Sequence, residues 1–298
     1  MTKPPALAVL GSTNMDLVAY VAKAPAPGET VTGLSCRTVP GGKGANQAVA
    51  AARAGGEVTM IGAVGTDDFG ARLRDALARS GIDTGSLRTA DGPSGTAHIV
   101  VDGDGGNSIV VIPGANDTVT ALALGDEAVI GCAYALLVQL ELPMSVVTAG
   151  ATAARGHGVM TILTPAPAVP MPPELLAVTD LLVPNEHEAA ALTGLHDPLL
   201  AARALLDDVP AVLVTLGAAG STYVSRETPE PVFVPAHPAE PVDTTAAGDT
   251  FVGALAVALG EGRPMPEAMR WASGAAALSV GRHGASTSMP YRQEIDAL

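Results

Sequence analysis

The stretch LLVPNEHEAAALTGLHDPLLAARALLDDVPAVLVTLG, Leu181 to Gly217, joins one short apolar run to another through two alanine-rich segments. The flanking runs, 181–185 and 211–217, are apolar on both alternating faces, as strands buried inside a parallel sheet must be. Residues 186–193 and 198–207 between them read as helices. The same rhythm extends outward. Further strands are expected at 6–11, 58–65, 135–140 and 159–165, and further helices at 44–54, 68–80 and 143–155. A helix over 267–280 carries Trp271, a packing residue. This alternation predicts an α/β class protein with a doubly wound, mostly parallel sheet flanked by helices, in a single domain over residues 1–298.

Two segments break the rhythm. Residues 14–40 and 94–112 are extended and punctuated by glycine, and the second folds back as a hairpin around Asp102–Asn107. Together they suit a small β-sheet standing off the main body as a lid; edge strands of the main sheet are the competing arrangement.

Composition narrows the function. Apolar residues make up 48% of the 298 residues and aromatics only 3%, so Ala, Val and Leu must build the core. A net charge of −14 repels nucleic acid and anionic membrane surfaces, and an anionic substrate would need its own local positive groups. Cys36 and Cys132 lie far apart and make no disulfide framework or metal pair. His98, His157, His187, His196 and His237 show no ligand spacing. With no signal-peptide pattern and no apolar run of the ~18 residues a membrane span requires, a cytoplasmic protein without membrane association is expected.

Two constellations carry chemistry. In VDTTAAGDTFVGAL, Val242–Leu255, small residues lead into an apolar helix with Phe251, Leu255 and Leu259 on one face. Ala246, Ala247 and Gly248 add little bulk, so a ligand can approach the backbone closely, and the unpaired first N–H groups of such a helix make an anion site. Asp249 beside it is either a proton acceptor for an attacking hydroxyl or a plain helix cap. Asp243 is either a turn residue or a cation ligand. In GGKGANQAVAAARAGG, Gly41–Gly56, glycines open a helix but the spacing is not that of a Walker A loop. Asn14, Asp16, Lys43 and Asn46 form a polar set suited to a polyol, or else turn residues with a solvated lysine.

GGKGANQA, PNEHEAAALTG, VTLGAAGS and DTTAAGDTF occur in this order over nearly the whole chain. In this the chain resembles the ribokinase family of carbohydrate kinases. The resemblance implies ATP-dependent phosphorylation of the 5-hydroxyl of D-ribose. It makes Asp249 the general base and the 246–248 amides the anion hole. Asn14, Asp16, Gly42, Lys43, Asn46 and Glu141 would hold the sugar, with Asp249 also touching it. Asn185 and Glu188 would act with Mg2+ and phosphate, and Thr215, Gly217 and Gly220 with ATP. The resemblance also implies K+ as activating cation, by position at Asp243, Thr245, Ser279, Arg282, Gly284 and Ser288, and a homodimer through the lid. Thr164, Thr245 and His283 depart from the usual pattern. A family kinase of 2-deoxyribose, another sugar or a nucleoside is the alternative, although scarce aromatics disfavour base stacking. A sugar-binding protein without catalysis is a more distant one.

Overall fold

The first apolar run becomes β1 (Ala6–Leu10), and its two faces feed two separate cores. Leu7 and Val9 face one, Ala8 and Leu10 the other, which is the period-two consequence of a strand covered on both sides. The computed structural model describes residues 3–103, 106–228 and 230–298. After β1 come β2 (Asn14–Tyr20), β3 (Ser35–Gly41), α1 (Lys43–Arg53), β4 (Glu57–Gly65), α2 (Asp68–Arg79), β5 (Leu87–Ala90), β6 (Gly95–Val101) and β7 (Asn107–Ile112). A 3-10 turn (Gly114–Thr118) leads to α3 (Asp126–Gly131), β8 (Ala135–Val138), α4 (Met144–His157), β9 (Met160–Leu163), α5 (Pro173–Leu176) and β10 (Leu181–Leu182). The chain ends with α6 (Glu186–Thr193), α7 (Pro198–Leu205), β11 (Ala211–Thr215), β12 (Ser221–Ser225), β13 (Val232–Val234), α8 (Ala247–Gly260), α9 (Met265–Val280) and α10 (Arg292–Ile295).

The main sheet runs β13-β12-β11-β10-β9-β8-β1-β4-β5. Its strands are parallel from β11 to β5, and β12 and β13 close one edge antiparallel. Helices α1, α2, α8 and α9 cover one face and α3, α4 and α7 the other. A second sheet, ordered β3-β2-β6-β7, is separate from the first. Residues 14–40 and 94–112 therefore do not form edge strands of the main sheet. The 102–107 hairpin turn is closed by the Asp102 and Gly106 backbones, while Asp104 and Gly105 lie outside the described residues.

Three sequence expectations change. The strand expected at 181–185 shortens to two residues, because Pro184 lacks an N–H and Asn185 turns to cap α6. Helix α8 is not buried on one face only; Thr250 through Leu259 are all buried, since α1 and α9 both pack against it. Strands β5, β12 and β13 were not expected, being short and only partly apolar.

Among the described residues no helix is long and apolar enough to cross a membrane. The chain leaves β1 in one direction to reach β4 and in the other to reach β8. Between the C-terminal ends of β1 and β8 lies the crevice where open α/β sheets bind ligands.

Candidate active site

The crevice is lined by the loops after β1 and β8 and by the start of α1. Backbones meet there at a distance only glycine permits. A Cβ on Gly44 would sit 2.6 Å from the Gly11 backbone, and one on Gly11 2.2 Å from Gln139 Oε1. Gly42 caps α1 at φ 92°, a left-handed conformation that suits glycine. Glu141, just past β8, accepts from the Lys43 N–H at 3.0 Å and from the Ser12 hydroxyl. One Glu141 oxygen thus serves the unpaired N-terminus of α1.

Asp249 lies in the first turn of α8, yet it does not cap its own helix. Its Oδ2 accepts from Asn46 Nδ2 at 3.1 Å and its Oδ1 from Gln47 Nε2 at 3.2 Å. The N-cap is Ala246, without a side-chain cap bond, at φ 58°. It is the only non-glycine residue with positive φ among the described residues, a conformation that costs alanine about 1–2 kcal/mol. This twist leaves the Gly248 and Asp249 N–H groups without acceptors among the described residues, while Ala247 N–H reaches the Thr244 carbonyl at 3.3 Å. Nothing lies within 4 Å of a Cβ on Gly248, so a ligand can approach these amides.

Charge in the crevice is lopsided: Asp16, Glu141, Glu188 and Asp249 surround the single ammonium of Lys43. Burial pushes Asp249 up to about 6, against the lowering effects of Lys43, Asn46 and Gln47. Burial, then Glu141 and Asp249, push Asp16 up to about 7. Burial also raises Glu188. For Lys43, burial favours the neutral amine, but Asp249 and the other carboxylates outweigh it and hold the ammonium above its usual range.

Several site residues had no role in the sequence reading. Gln47, fully buried, donates also to Thr164 Oγ1 at 3.2 Å and accepts from Gln139 at 2.6 Å, so it is fixed from behind while it holds Asp249. It stands inside GGKGANQA, beside Asn46, where its position was visible and its direction was not. Asn116, buried beside Asn14, comes from a distant turn with no local signal. A separate cavity of about 330 Å³ lies behind Asn46 among Val49, Leu73 and Leu77. None of the four carboxylates lines it, so it is not the reaction site.

The other expected residues fall into two groups. Asn185 and Glu188 make a reciprocal capping box on α6, both bonds 2.8 Å. Glu188 is nevertheless half-buried and close enough to act on Lys43, so the cap places it at the crevice. Thr215 ends β11 and bridges to Asn185. Gly217 opens onto free space at φ 54°, whereas a Cβ on Gly220 would meet the Val234 carbonyl at 2.1 Å, so glycine there serves packing.

Asp243 ties two loops together, accepting from Thr245 N–H at 3.0 Å and Gly284 N–H at 2.9 Å. Burial opposes its charge, but bonds from Thr245 and Gly284 win and hold it below the usual range. The Ser279 and Ser288 hydroxyls donate to nearby carbonyls, and the Arg282 guanidinium pairs with Glu294. No hydrogen bond links Ser288 to Asp243. The carbonyls of Thr245, Arg282 and Gly284 have no hydrogen-bond partner among the described residues.

The whole span from residue 5 to 292 matches the model of the pfkB family carbohydrate kinases. The chain is 45% identical to the ribokinase of Bacillus subtilis, over 98% of each chain. It is 42% identical to that of Haemophilus influenzae, over 97% of this chain and 96% of that one. The structure of Arabidopsis thaliana ribokinase complexed with ribose and ATP superposes with a TM-score of 0.93 at 35% identity, covering 99% of this chain and 98% of that one.

Proposed function

The chain belongs to the pfkB family of carbohydrate kinases, and on that footing we propose that it transfers the terminal phosphoryl group of ATP to the 5-hydroxyl of D-ribose. The observation that carries this reading is Asp249, a carboxylate oriented by two amides at the mouth of a helix whose Gly248 and Asp249 N–H groups have no acceptor among the described residues.

The residues divide the work. Asn14, Asp16 and Asn46 bind sugar hydroxyls, with Gly42, the Lys43 backbone and Glu141 shaping the floor. Asn46 Oδ1 is buried without a partner among the described residues, an acceptor ready for a hydroxyl. Asp249 takes the proton of the attacking hydroxyl. The transition state of phosphoryl transfer is largely dissociative, so orientation matters more than basicity, and a carboxylate near 6 suffices. The amides of Gly248 and Asp249, at the positive end of α8, meet the negative charge of the transferring group. Lys43 adds the one fixed cation.

Four carboxylates beside a triphosphate need further countercharge, which Mg2+ supplies when bound with ATP. Glu188 keeps one oxygen outside its capping box and Asn185 stands next to it, a donor set suited to magnesium through water. The loops joined by Asp243 offer the free carbonyls of Thr245, Arg282 and Gly284, an all-oxygen set that fits K+. Ordering these loops would fix Ala246 and with it the amides of α8.

Strand β7 is an edge of the second sheet, and its Ile109, Val110, Val111 and Ile112 are all exposed. Such an edge supports pairing with a second copy, giving a homodimer through the lid. Closing the sheet over the sugar would exclude water and limit ATP hydrolysis. A cytoplasmic location fits these metabolites.

ADP release measured with ribose, 2-deoxyribose, a hexose and a nucleoside, with and without K+, tests the reading. Ribose-dependent turnover that rises with K+ is expected. Turnover on the nucleoside or deoxyribose but not on ribose, or saturable binding without turnover, would overturn it.

The pH profile supplies a second check. Asp16 and Asp249 act as carboxylates, and both protonate unusually early as pH falls. kcat/KM should therefore level off above pH ~8, fall through about 7 and steepen towards 6. Their effect on stability has the opposite sign. The folded chain binds these protons more tightly than the unfolded one, so their contribution to stability grows as pH falls from 8 to 6. A profile that is flat from pH 8 to 5.5 contradicts both assignments.

A further inference from the structure

We propose that Asn116 is a positioning residue that fixes the polarity of the sugar site, holding Asn14 so that its amide NH2, and not its carbonyl, faces the sugar. The proposal rests on the sugar-kinase reading above and extends it to a residue outside the crevice motifs. The constraint runs from the backbone outward. Thr13 N–H can only donate, so the Asn116 atom 3.0 Å away is an oxygen. The Thr13 carbonyl can only accept, so the Asn116 atom 3.0 Å from it is the nitrogen. That nitrogen spends its second proton on Asn14, 2.8 Å away, which must therefore present Oδ1. Asn14 Nδ2 then turns the other way and has no acceptor among the described residues.

The backbone of one residue thus dictates, through two side chains, what a ligand meets. All three bonds are buried: Asn116 is 1% exposed and Asn14 2%. Because the bonds are buried, reversing either amide would set like groups against each other with no exposed alternative partner. Gly95, the β6 partner of Asn14, makes the room, since a Cβ there would lie 2.2 Å from Asn116 Nδ2 and 2.3 Å from Asn14 Oδ1. The clamp sits at one end of the second sheet, where β2 and β6 begin side by side and β7 has just ended. Asn14 begins β2, Gly95 begins β6, and Asn116 comes after β7.

A sugar hydroxyl at this point accepts from Asn14 and must pass its own proton to an acceptor. Asp16 lies two residues along the same face of β2, and its carboxyl oxygens can accept that proton. The pair therefore selects a hydroxyl, a group that accepts and donates at once, over a hydrogen that does neither.

The test is Asn116→Asp, close in size. Its carboxylate still accepts from Thr13 N–H but places acceptors against the Thr13 carbonyl and Asn14, so the Asn14 amide turns its carbonyl to the sugar. KM for ribose should rise about tenfold or more, with kcat and KM for ATP within about threefold. In an Asn14→Ala background the same substitution should change KM for ribose less than about threefold, because its effect travels through Asn14. Equal effects in both backgrounds, or an unchanged KM, overturn the proposal. Absence of ribose-dependent turnover in the unsubstituted protein would instead sink the kinase reading. Should the variant fail to fold, a ribose complex of the unsubstituted protein decides. Asn14 within about 3.2 Å of a hydroxyl that also reaches a carboxylate supports the clamp, and Asn14 out of hydrogen-bond range of every sugar oxygen refutes it.

Discussion

Replacing Asp249 with asparagine is expected to lower kcat by about 10²- to 10⁴-fold while ribose affinity stays within about tenfold. The substitution keeps shape and removes charge. The remaining sugar contacts, Asn14, Asp16 and Asn46, are untouched, so ground-state binding persists. What disappears is the acceptor for the hydroxyl proton. A second effect adds to the first. Both carboxylate oxygens now receive N–H groups, from Asn46 and from Gln47. An amide has only one oxygen, so its NH2 opposes one of those donors unless Asn46, whose Oδ1 has no partner among the described residues, turns its own amide. Gln47 cannot turn to relieve this, because Gln139 donates to its carbonyl from behind. Steady-state kinetics beside calorimetric titration of ribose separates the two quantities. A variant with near-normal kcat removes Asp249 from the role of base, whatever its affinity.

Gly44→Ala should be destabilising although it places alanine in a helix. Alanine within a helix normally stabilises by about 1 kcal/mol relative to glycine. Here the added carbon would lie 2.6 Å from Gly11 C, Gly11 Cα and Ser12 N, all backbone atoms that cannot rotate away. Either α1 withdraws from the end of β1 or the loop after β1 shifts. Overpacking of this kind costs about 1–3 kcal/mol, and against the helix gain a net loss of up to about 2 kcal/mol and a fall in Tm of about 2–4 °C are expected. Because Lys43 and Asn46 flank the contact, ribose KM should rise as well. Gly156→Ala is the control. It lies in α4, with nothing within 4 Å of the new carbon, and should be neutral or stabilising. Thermal melts of the two variants in parallel check the prediction. Equal Tm values for Gly44→Ala and the parent protein would show that the backbones do not meet as described.

Much of this was legible in the chain itself. The parallel strands and covering helices arise from apolar runs with known periods, and these are local signals. The stand-off sheet at 14–40 and 94–112 announced itself by breaking the rhythm. Asp249, Asn46, Lys43 and Asn14 stood in recognisable motifs. Less local features were missed for physical reasons. Strands β5 and β13 carry weak patterns because they are short and partly exposed, and β12 because most of its buried residues are polar; each is held by a neighbour's ladder. The face of α8 could not be read, since a helix buried all round has no polar stripe to mark the outside. The cap reading of Asp249 and the capping box of Asn185 and Glu188 had similar sequence signatures. Geometry gave them opposite outcomes: one acid faces another helix, the other faces its own.

By itself the sequence determined which elements form and which residue types are available for chemistry. Both come from side-chain period and from chemical identity, properties that neighbours along the chain already carry. Only the tertiary structure decided direction. It turned Gln47 towards a residue 202 positions away and Asn116 towards one 102 away, and it collected four carboxylates around one lysine. Hydrogen-bond polarity and burial depend on what lies within a few ångströms in space. That neighbourhood exists only once β1 and β8 part and α1 and α8 close over the gap between them.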